Sequence, residues 1–281
     1  MSFLDHIAAC NDHDLGNFLP FVVAGQQVGW VKKPFAGRLE AHPEAFVVSA
    51  DGVSLATGLD DYAARSAAAD GVLRNFADRG LIPGWRGEYY PVGADFNGPH
   101  LMEMERAAVP YFGVRAYGVH VNGYVRDGAD IHLWIARRSG GKQTYPNMLD
   151  NMIAGGQPVG ISLHENVVKE AWEEAAVPRE LAARARPVGA ISYCQETELG
   201  LKPDVIFNYD MELPPDFVPA NTDGEVSEFY LWPAEKVMEV VETTAEFKFN
   251  CNLVIIDFCI RHGLIGPDRP DYLALVRGLK S

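Results

Sequence analysis

The segment Met152–Val177, MIAGGQPVGISLHENVVKEAWEEAAV, constrains this chain more than any other. Ile153-Ala154 reads as the end of a strand, which Gly155-Gly156 breaks. Ser162 stands three residues before Glu165, the spacing of a capping box, in which each side chain satisfies the other's backbone N–H. A helix from Leu163 to about Ala176 follows. At about 100° per residue, Glu170, Glu173 and Glu174 fall within an arc of roughly 100°. Val167, Val168, Ala171, Trp172 and Ala175 occupy the adjoining, inward side. Like charges at i, i+3 and i+4 repel by a few tenths of a kcal/mol per pair. A cation between them reverses that sign, and hard carboxylate oxygens suit Mg²⁺ or Mn²⁺. The competing reading is a solvated helix face on which Lys169 pairs with Glu173 at i+4. Strand end, double glycine, short loop, capped helix and acidic edge together favour the metal reading.

Charge narrows the partners. The 281 residues carry 24 Lys and Arg against 38 Asp and Glu, a formal net charge of −14. A phosphate backbone is repelled by such a field, so a nucleic-acid partner is not expected. Hydrophobic residues are 48% and charged residues 22%, which excludes a disordered chain and a disulfide scaffold. At roughly 150 residues per domain, the length allows one large domain or two modest ones. The cysteines, Cys10, Cys194, Cys251 and Cys259, form no CxxC pair, so a zinc ribbon is not indicated. No signal peptide and no membrane span are visible, and the expected setting is the cytoplasm, with reduced thiols and no membrane partner.

Along the chain, Ser2–Cys10 reads as a short amphipathic helix. Strand candidates follow at Phe21–Val23 and Val28–Val31, then a hairpin of Phe46–Val48 with Val53–Leu55 about an Asp-Gly turn. Asp60–Ala77 has helical spacing, and Met102–Ala108 reads as one more short helical segment, ended by Pro110. From Arg115 the texture changes, with Tyr117–Val125 and Ile131–Arg137 forming a hairpin. This places a boundary near 115, dividing an N-terminal accessory domain, 1–114, from a second domain, 115–281.

The segment 155–177 resembles the signature of the Nudix hydrolase family: Gly, five residues, Glu, seven residues, then Arg-Glu-apolar-any-Glu-Glu-any-Gly-apolar. Gly155 matches the first Gly, Glu170 the Glu beside the Arg position, Ala171 the apolar position, Glu173 and Glu174 the acidic pair, and Val177 the last apolar position. Ile161 replaces the first Glu, Lys169 the Arg, and Ala176 the last Gly. Lys169 keeps the charge but not the bidentate fork. The downstream DGEVSEFYL and FKFNCNLVIIDFCIRHG are similar to one Nudix subgroup, in which the first Glu is commonly absent. That subgroup carries an extra N-terminal domain and includes plant plastid Nudix enzymes and a fungal part fused to thiamine pyrophosphokinase. The match covers about residues 115–265.

The resemblance implies an α+β fold, a Nudix α/β/α sandwich around a mixed sheet, preceded by a small α+β domain. It implies metal-dependent hydrolysis of a diphosphate linkage in a small molecule. Glu170, Glu173 and Glu174, with the Gly155 carbonyl, become the expected ligands of Mg²⁺, with Mn²⁺ as an alternative. Glu225, in Asp223-Gly224-Glu225-Val226, is a candidate base or extra ligand, with Glu174 and Glu170 as rival bases; its alternative is a turn residue facing solvent. The implied substrates are thiamine diphosphate analogues such as oxythiamine or oxothiamine diphosphate, giving the monophosphate and phosphate. ADP-ribose or another nucleoside diphosphate derivative is the alternative substrate, and a non-catalytic ligand sensor the alternative role.

Other residues divide between roles. Trp134, Arg137, Lys142 and Tyr145 lie ahead of the signature, where a cation would meet phosphate, while Arg138 reads as solvated at a hairpin end. Met148, Leu149 and Asp150 read as packing and turn, and His120 and His132 as satisfied structural residues. Cys194 lacks a partner that would make it a nucleophile, and Gln195 and Glu196 are candidate pocket residues. Trp30, Tyr89, Tyr90 and Tyr145 are candidates to stack a pyrimidine ring. The N-terminal domain is expected to close over the pocket, to pack, or to form a homodimer.

Overall fold

A computed structural model describes residues 1–280; Ser281, the last residue of the expected second domain, lies outside the described residues. The chain opens with α1 (Phe3–Cys10), capped by Ser2 and Asp5 acting reciprocally. Four short strands then form one sheet in the order β2-β1-β4-β3: β1 (Phe18–Val23), β2 (Gln26–Lys32), β3 (Phe46–Ser49) and β4 (Gly52–Leu55). Helix α2 (Lys33–Leu39) lies between β2 and β3. Helix α3 (Tyr62–Asp78) follows, then the hairpin β5 (Tyr89–Val92) and β6 (Met102–Glu105), and a single turn α4 (Val109–Phe112). A continuous core running from Phe21 to Val114, including Phe35, Phe46, Phe76 and Phe112, ties the elements after α1 together.

Two expectations for this half need correction. Met102–Ala108 does not form a helix: Met102–Glu105 is strand β6, with Met102 and Met104 buried. The alternation Met-Glu-Met-Glu has a period of two, which suits a strand. Pro110 does not terminate a helix either; it sits in the first turn of α4, where its missing N–H has no helical partner to lose.

The second half is built on a seven-stranded sheet. Its main path is β11-β14-β7-β8-β15, with β10 pairing β7 and β9 pairing β8. These strands are β7 (Tyr117–Asp127), β8 (Asp130–Arg138), β9 (Leu149–Asn151), β10 (Ile153–Gly156), β11 (Arg186–Ser192), β14 (Val205–Glu212) and β15 (Val226–Pro233). A separate two-stranded ribbon, β12 (Gln195–Glu196) with β13 (Leu201–Lys202), precedes β14. The sheet is mixed, because β14 runs parallel to β7 while the other pairs are antiparallel.

Alternation along β7 serves two faces at once. Val119 and Val121 join Val167, Val168, Ala171 and Ala175 of α5 (Leu163–Ala175) in one core, beside the short α6 (Arg179–Ala182). Tyr124 joins the other core, with α7 (Ala234–Thr243), α8 (Cys251–Arg261) and α9 (Tyr272–Gly278). The result is the expected α+β architecture, a sandwich of helices on both faces of a mixed sheet. Helix α1 belongs to this second core: Phe3, Ile7 and Cys10 are buried there, and His6 Nε2 lies 2.7 Å from the Val241 carbonyl. No helix among the described residues is long and apolar enough to cross a membrane.

Candidate active site

The signature segment folds as strand, loop and capped helix. Gly155-Gly156 does not break the strand as expected; β10 runs through both, pairing Gly155 with Val119 and Gly156 with Gly118. The two glycines are needed for close approach. A Cβ on Gly155 would stand 2.3 Å from Glu170 Cδ, and one on Gly156 would stand 1.6 Å from the Tyr90 hydroxyl. The loop is fixed by Asn166 Nδ2, which donates to the Gly156 carbonyl at 2.8 Å, and by Gln157 Nε2, which donates to the Ile161 carbonyl at 2.8 Å. The Ser162–Glu165 box is complete and starts α5.

At the other end, Ala176 adopts the left-handed conformation (φ 52°) that closes the helix. The Val177 N–H donates to the Ala171 carbonyl and the Ala176 N–H to the Trp172 carbonyl. Glycine is the usual residue at such a cap, which gives the family's final Gly its physical reason. Thr222 Oγ1 donates to the Glu173 carbonyl at 2.6 Å, so the loop before Glu225 also satisfies this helix end.

The carboxylates of α5 meet different surroundings. Glu174 is buried, and one oxygen accepts the Ala154 N–H at 2.7 Å. Burial pushes its carboxyl up to about 8, with the charges of Glu170 and Asp150 adding to the shift. Glu170 is also raised by burial, against the pull of Lys169. Lys169 Nζ lies 2.8 Å from Glu170 Oε1 and 3.0 Å from Glu173 Oε2. The pairing with Glu173 expected on a solvated face is therefore present, but the same ammonium also holds the buried Glu170. Trp172, expected on the inward side, is instead 56% exposed.

Glu225 is only partly exposed and is paired. It pairs with Lys142, and Arg86 Nη1 lies 3.4 Å from its other oxygen. Lys142 is drawn under the loops, where burial lowers its ammonium to about 8 while Glu174 opposes the shift. The structure thus brings Gly155, Glu170 and Glu174 into contact or close charge coupling, attaches Glu173 through Lys169, and links Glu225 to the group through Lys142. Arg86 carried no sequence signal as a site residue, because its partner lies 139 positions away.

Beneath the carboxylates is a buried ionic cluster. Asp150 accepts from Arg138 Nη1 at 2.7 Å and from the Cys251 thiol at 2.7 Å, with Lys248 Nζ at 3.6 Å. Burial opposes ionisation of Asp150, but Lys248, His120 and Arg138 hold it well below the usual carboxylate range. Arg138 is therefore buried and paired rather than solvated, and Asp150 is a charged hub rather than a turn residue. His120 is satisfied by Asn151 Oδ1 at 2.8 Å, in keeping with a structural role. Donor atoms of His120, Asp150 and Cys251 lie within 4.8 Å of one another. Two adjacent cations and a thiol whose burial keeps it protonated make this a poor cation site.

The α5 edge suits a divalent cation. A buried carboxyl with raised proton affinity, beside two more carboxylates and a strand backbone, is the hard oxygen set that Mg²⁺ or Mn²⁺ takes. The N-terminal half forms its neighbouring wall: Val159 N–H donates to the Tyr89 carbonyl at 2.9 Å, and the Tyr90 hydroxyl rests on Gly156. Of the stacking candidates, Tyr90 is buried, Tyr145 packs on Phe249 with centroids 5.3 Å apart, and Trp30 lies against Gly113. Tyr89 is half-buried, with its hydroxyl donating to Asp70 at 2.9 Å. Glu196 pairs with Lys32 at 2.8 Å and Gln195 Nε2 donates to the Ala9 carbonyl at 3.0 Å, which anchors both to the N-terminal half of the chain.

Comparison with known proteins adds three findings. A family model described as a domain of unknown function, DUF4743, matches residues 2–116. The chain is 46% identical over 291 residues to Nudix hydrolase 20, chloroplastic, and 47% identical over 283 residues to Nudix hydrolase 24, chloroplastic, both of Arabidopsis thaliana. Each alignment covers 99% of this chain and 78% of the relative. Among solved structures, the NUDIX domain of Shewanella oneidensis NrtR complexed with ADP ribose aligns at 15% identity and a TM-score of 0.43. That alignment covers 55% of this chain and 91% of the other.

Proposed function

The chain belongs to the Nudix hydrolase family, and from that premise we propose that it hydrolyses the diphosphate of a thiamine diphosphate analogue, releasing the monophosphate and phosphate. The observation that carries the hydrolytic reading is the geometry of the α5 edge: buried Glu174 accepts the Ala154 N–H at 2.7 Å, and Glu170 lies against Gly155 of the same strand. Glu170, Glu173 and Glu174, with the Gly155 carbonyl, would hold Mg²⁺. Such an ion supplies Lewis-acid charge to phosphoryl oxygens and a more acidic bound water.

The chain's own residues have separate tasks in this reading. Lys142 faces the carboxylates from the loop after β8 and offers its ammonium to a phosphate oxygen. Glu225 holds that ammonium in place and is itself steadied by Arg86 at its other oxygen. Of the candidate bases, both Glu225 oxygens are engaged by cations. Glu174 and Glu170 are the remaining candidates to accept a proton from water. The thiamine class rests on the subgroup resemblance, and the cytoplasm is kept as the compartment of this reading.

Phosphate release from oxythiamine diphosphate, thiamine diphosphate, ADP-ribose and dinucleotides, with Mg²⁺ and with EDTA, tests it. Metal-dependent cleavage favouring the thiamine analogues is expected, with Glu174→Gln slower by about two orders of magnitude or more. Preference for ADP-ribose or dinucleotides discards the thiamine class. Near-normal turnover by Glu174→Gln at saturating Mg²⁺ discards the ligand assignment.

A further inference from the structure

At the end of the seven-stranded sheet away from Glu174, the chain encloses a depression of about 800 Å³. It is bounded by the last residues of β7 and β14, the first of β11, and the end of α8. Along β7, Tyr124 and Arg126 lie five and seven residues beyond Val119, the partner of Gly155. At about 3.3 Å per residue that is roughly 16 to 23 Å, too far for one small ligand to touch both places.

Its charge runs against that of the molecule. In a chain of net charge −14, Arg126, Arg184, Arg186 and Arg261 line this one hollow, against only two carboxylates, Asp210 and Glu212. Both carboxylates are already engaged. Asp210 takes Arg261 through two bonds of 2.5 and 3.1 Å, and His262 Nε2 lies 2.9 Å from it. Glu212 accepts the Tyr124 hydroxyl at 3.2 Å and stands 3.8 Å from Arg126. The side chains of Arg184 and Arg186 make no hydrogen bond or ion pair among the described residues. Two free guanidinium groups therefore stand at the start of the edge strand β11 and in the turn before it, over a floor of paired charges. Val188, Leu213, Pro214 and Pro215 complete the lining with apolar surface.

We propose that this hollow is a second ligand site, separate from the carboxylate edge, that binds a phosphate-bearing anion through Arg184 and Arg186. The planar five-donor guanidinium matches phosphate oxygens through paired bonds, which a solvated ammonium does not. The phosphate can come as free pyrophosphate or as part of a nucleotide, whose ring would cover the apolar lining. The proposal does not depend on the reaction at α5.

Calorimetric titration of the full chain with pyrophosphate, and separately with ADP, tests it in the presence of EDTA. Without a divalent ion the α5 edge is a carboxylate cluster that repels anions and turns nothing over. Saturable one-site binding is expected. The double variant Arg184→Ala/Arg186→Ala should weaken it about tenfold or more, and added salt should weaken it too. Both arginines are exposed, so the double variant keeps its core, and an unchanged thermal melt verifies this. Tighter ADP than pyrophosphate identifies a nucleotide as the source, and the reverse identifies free polyphosphate; either supports the site. No saturable binding, equal binding by the folded double variant, or binding lost in Glu174→Gln instead overturns it.

Discussion

Glu174 owes its chemistry to what surrounds it. A carboxylate on a solvated helix ionises freely, whereas this one lies under the strand backbone with Glu170 and Asp150 as like-charged neighbours. Asp150 shows the opposite balance a few ångströms away, kept ionised by Lys248 and Arg138 despite burial. His120, packed in the same cluster, is pushed down to about 4 by burial, below its ordinary 6.5. The unfolded chain therefore takes up a proton between pH 6.5 and 4 that the folded chain refuses. Stability supplied by neutral His120 is present above pH 6.5 and lost as pH falls through that window, by roughly 3 kcal/mol in full. Urea midpoints at pH 7 and pH 4.5 measure this, and His120→Asn should flatten the difference. An equal loss in that variant would show that other groups carry it. None of these partnerships is visible in sequence, since Arg138, Asp150, Lys248 and Cys251 meet only through sheet and helix packing.

Elements were more legible than partners. The capping box, the α5 register and the β7–β8 hairpin all follow from local spacing, which is where side-chain periodicity speaks. It misled at Gly155-Gly156, where two glycines imply a strand break that β10 does not make, and at Met102–Ala108, where a helical reading overlooks the alternation of Met102–Glu105. The C-terminus of α5 gives an element-scale prediction. Ala176 sits at φ 52°, a conformation that costs an L-residue about 1–2 kcal/mol. Ala176→Gly should raise stability by about 1 kcal/mol, less the added freedom of the unfolded chain. A lower thermal midpoint for that variant would mean that the methyl group packs usefully against its surroundings.

Across the whole molecule, the two halves are interwoven at both the site and the core. From the N-terminal half, Tyr89 meets Val159 in the loop before α5, Tyr90 rests on Gly156, and Arg86 pairs with Glu225. Helix α1, which the sequence reading grouped with the first 114 residues, is packed against α8 and α9 on the far side of the sheet. Amphipathicity announced that α1 buries a face but could not say against what. Phe3, 1% exposed in that second core, should therefore cost about 3–5 kcal/mol when changed to Ala. The loss should appear in the unfolding of the second half, followed by near-UV dichroism of its own tryptophans, Trp134, Trp172 and Trp232. A change confined to the first half would contradict the packing.

The central claim is that the α5 edge beside Gly155 is a divalent metal site. Manganese binding by the full chain, followed through the electron paramagnetic resonance of free Mn²⁺, tests it without any assumption about substrate. Saturable binding is expected for the natural chain, weakened about tenfold or more in Glu174→Gln and in Glu170→Gln, with both variants still folded. Unchanged manganese affinity in both variants would contradict the account.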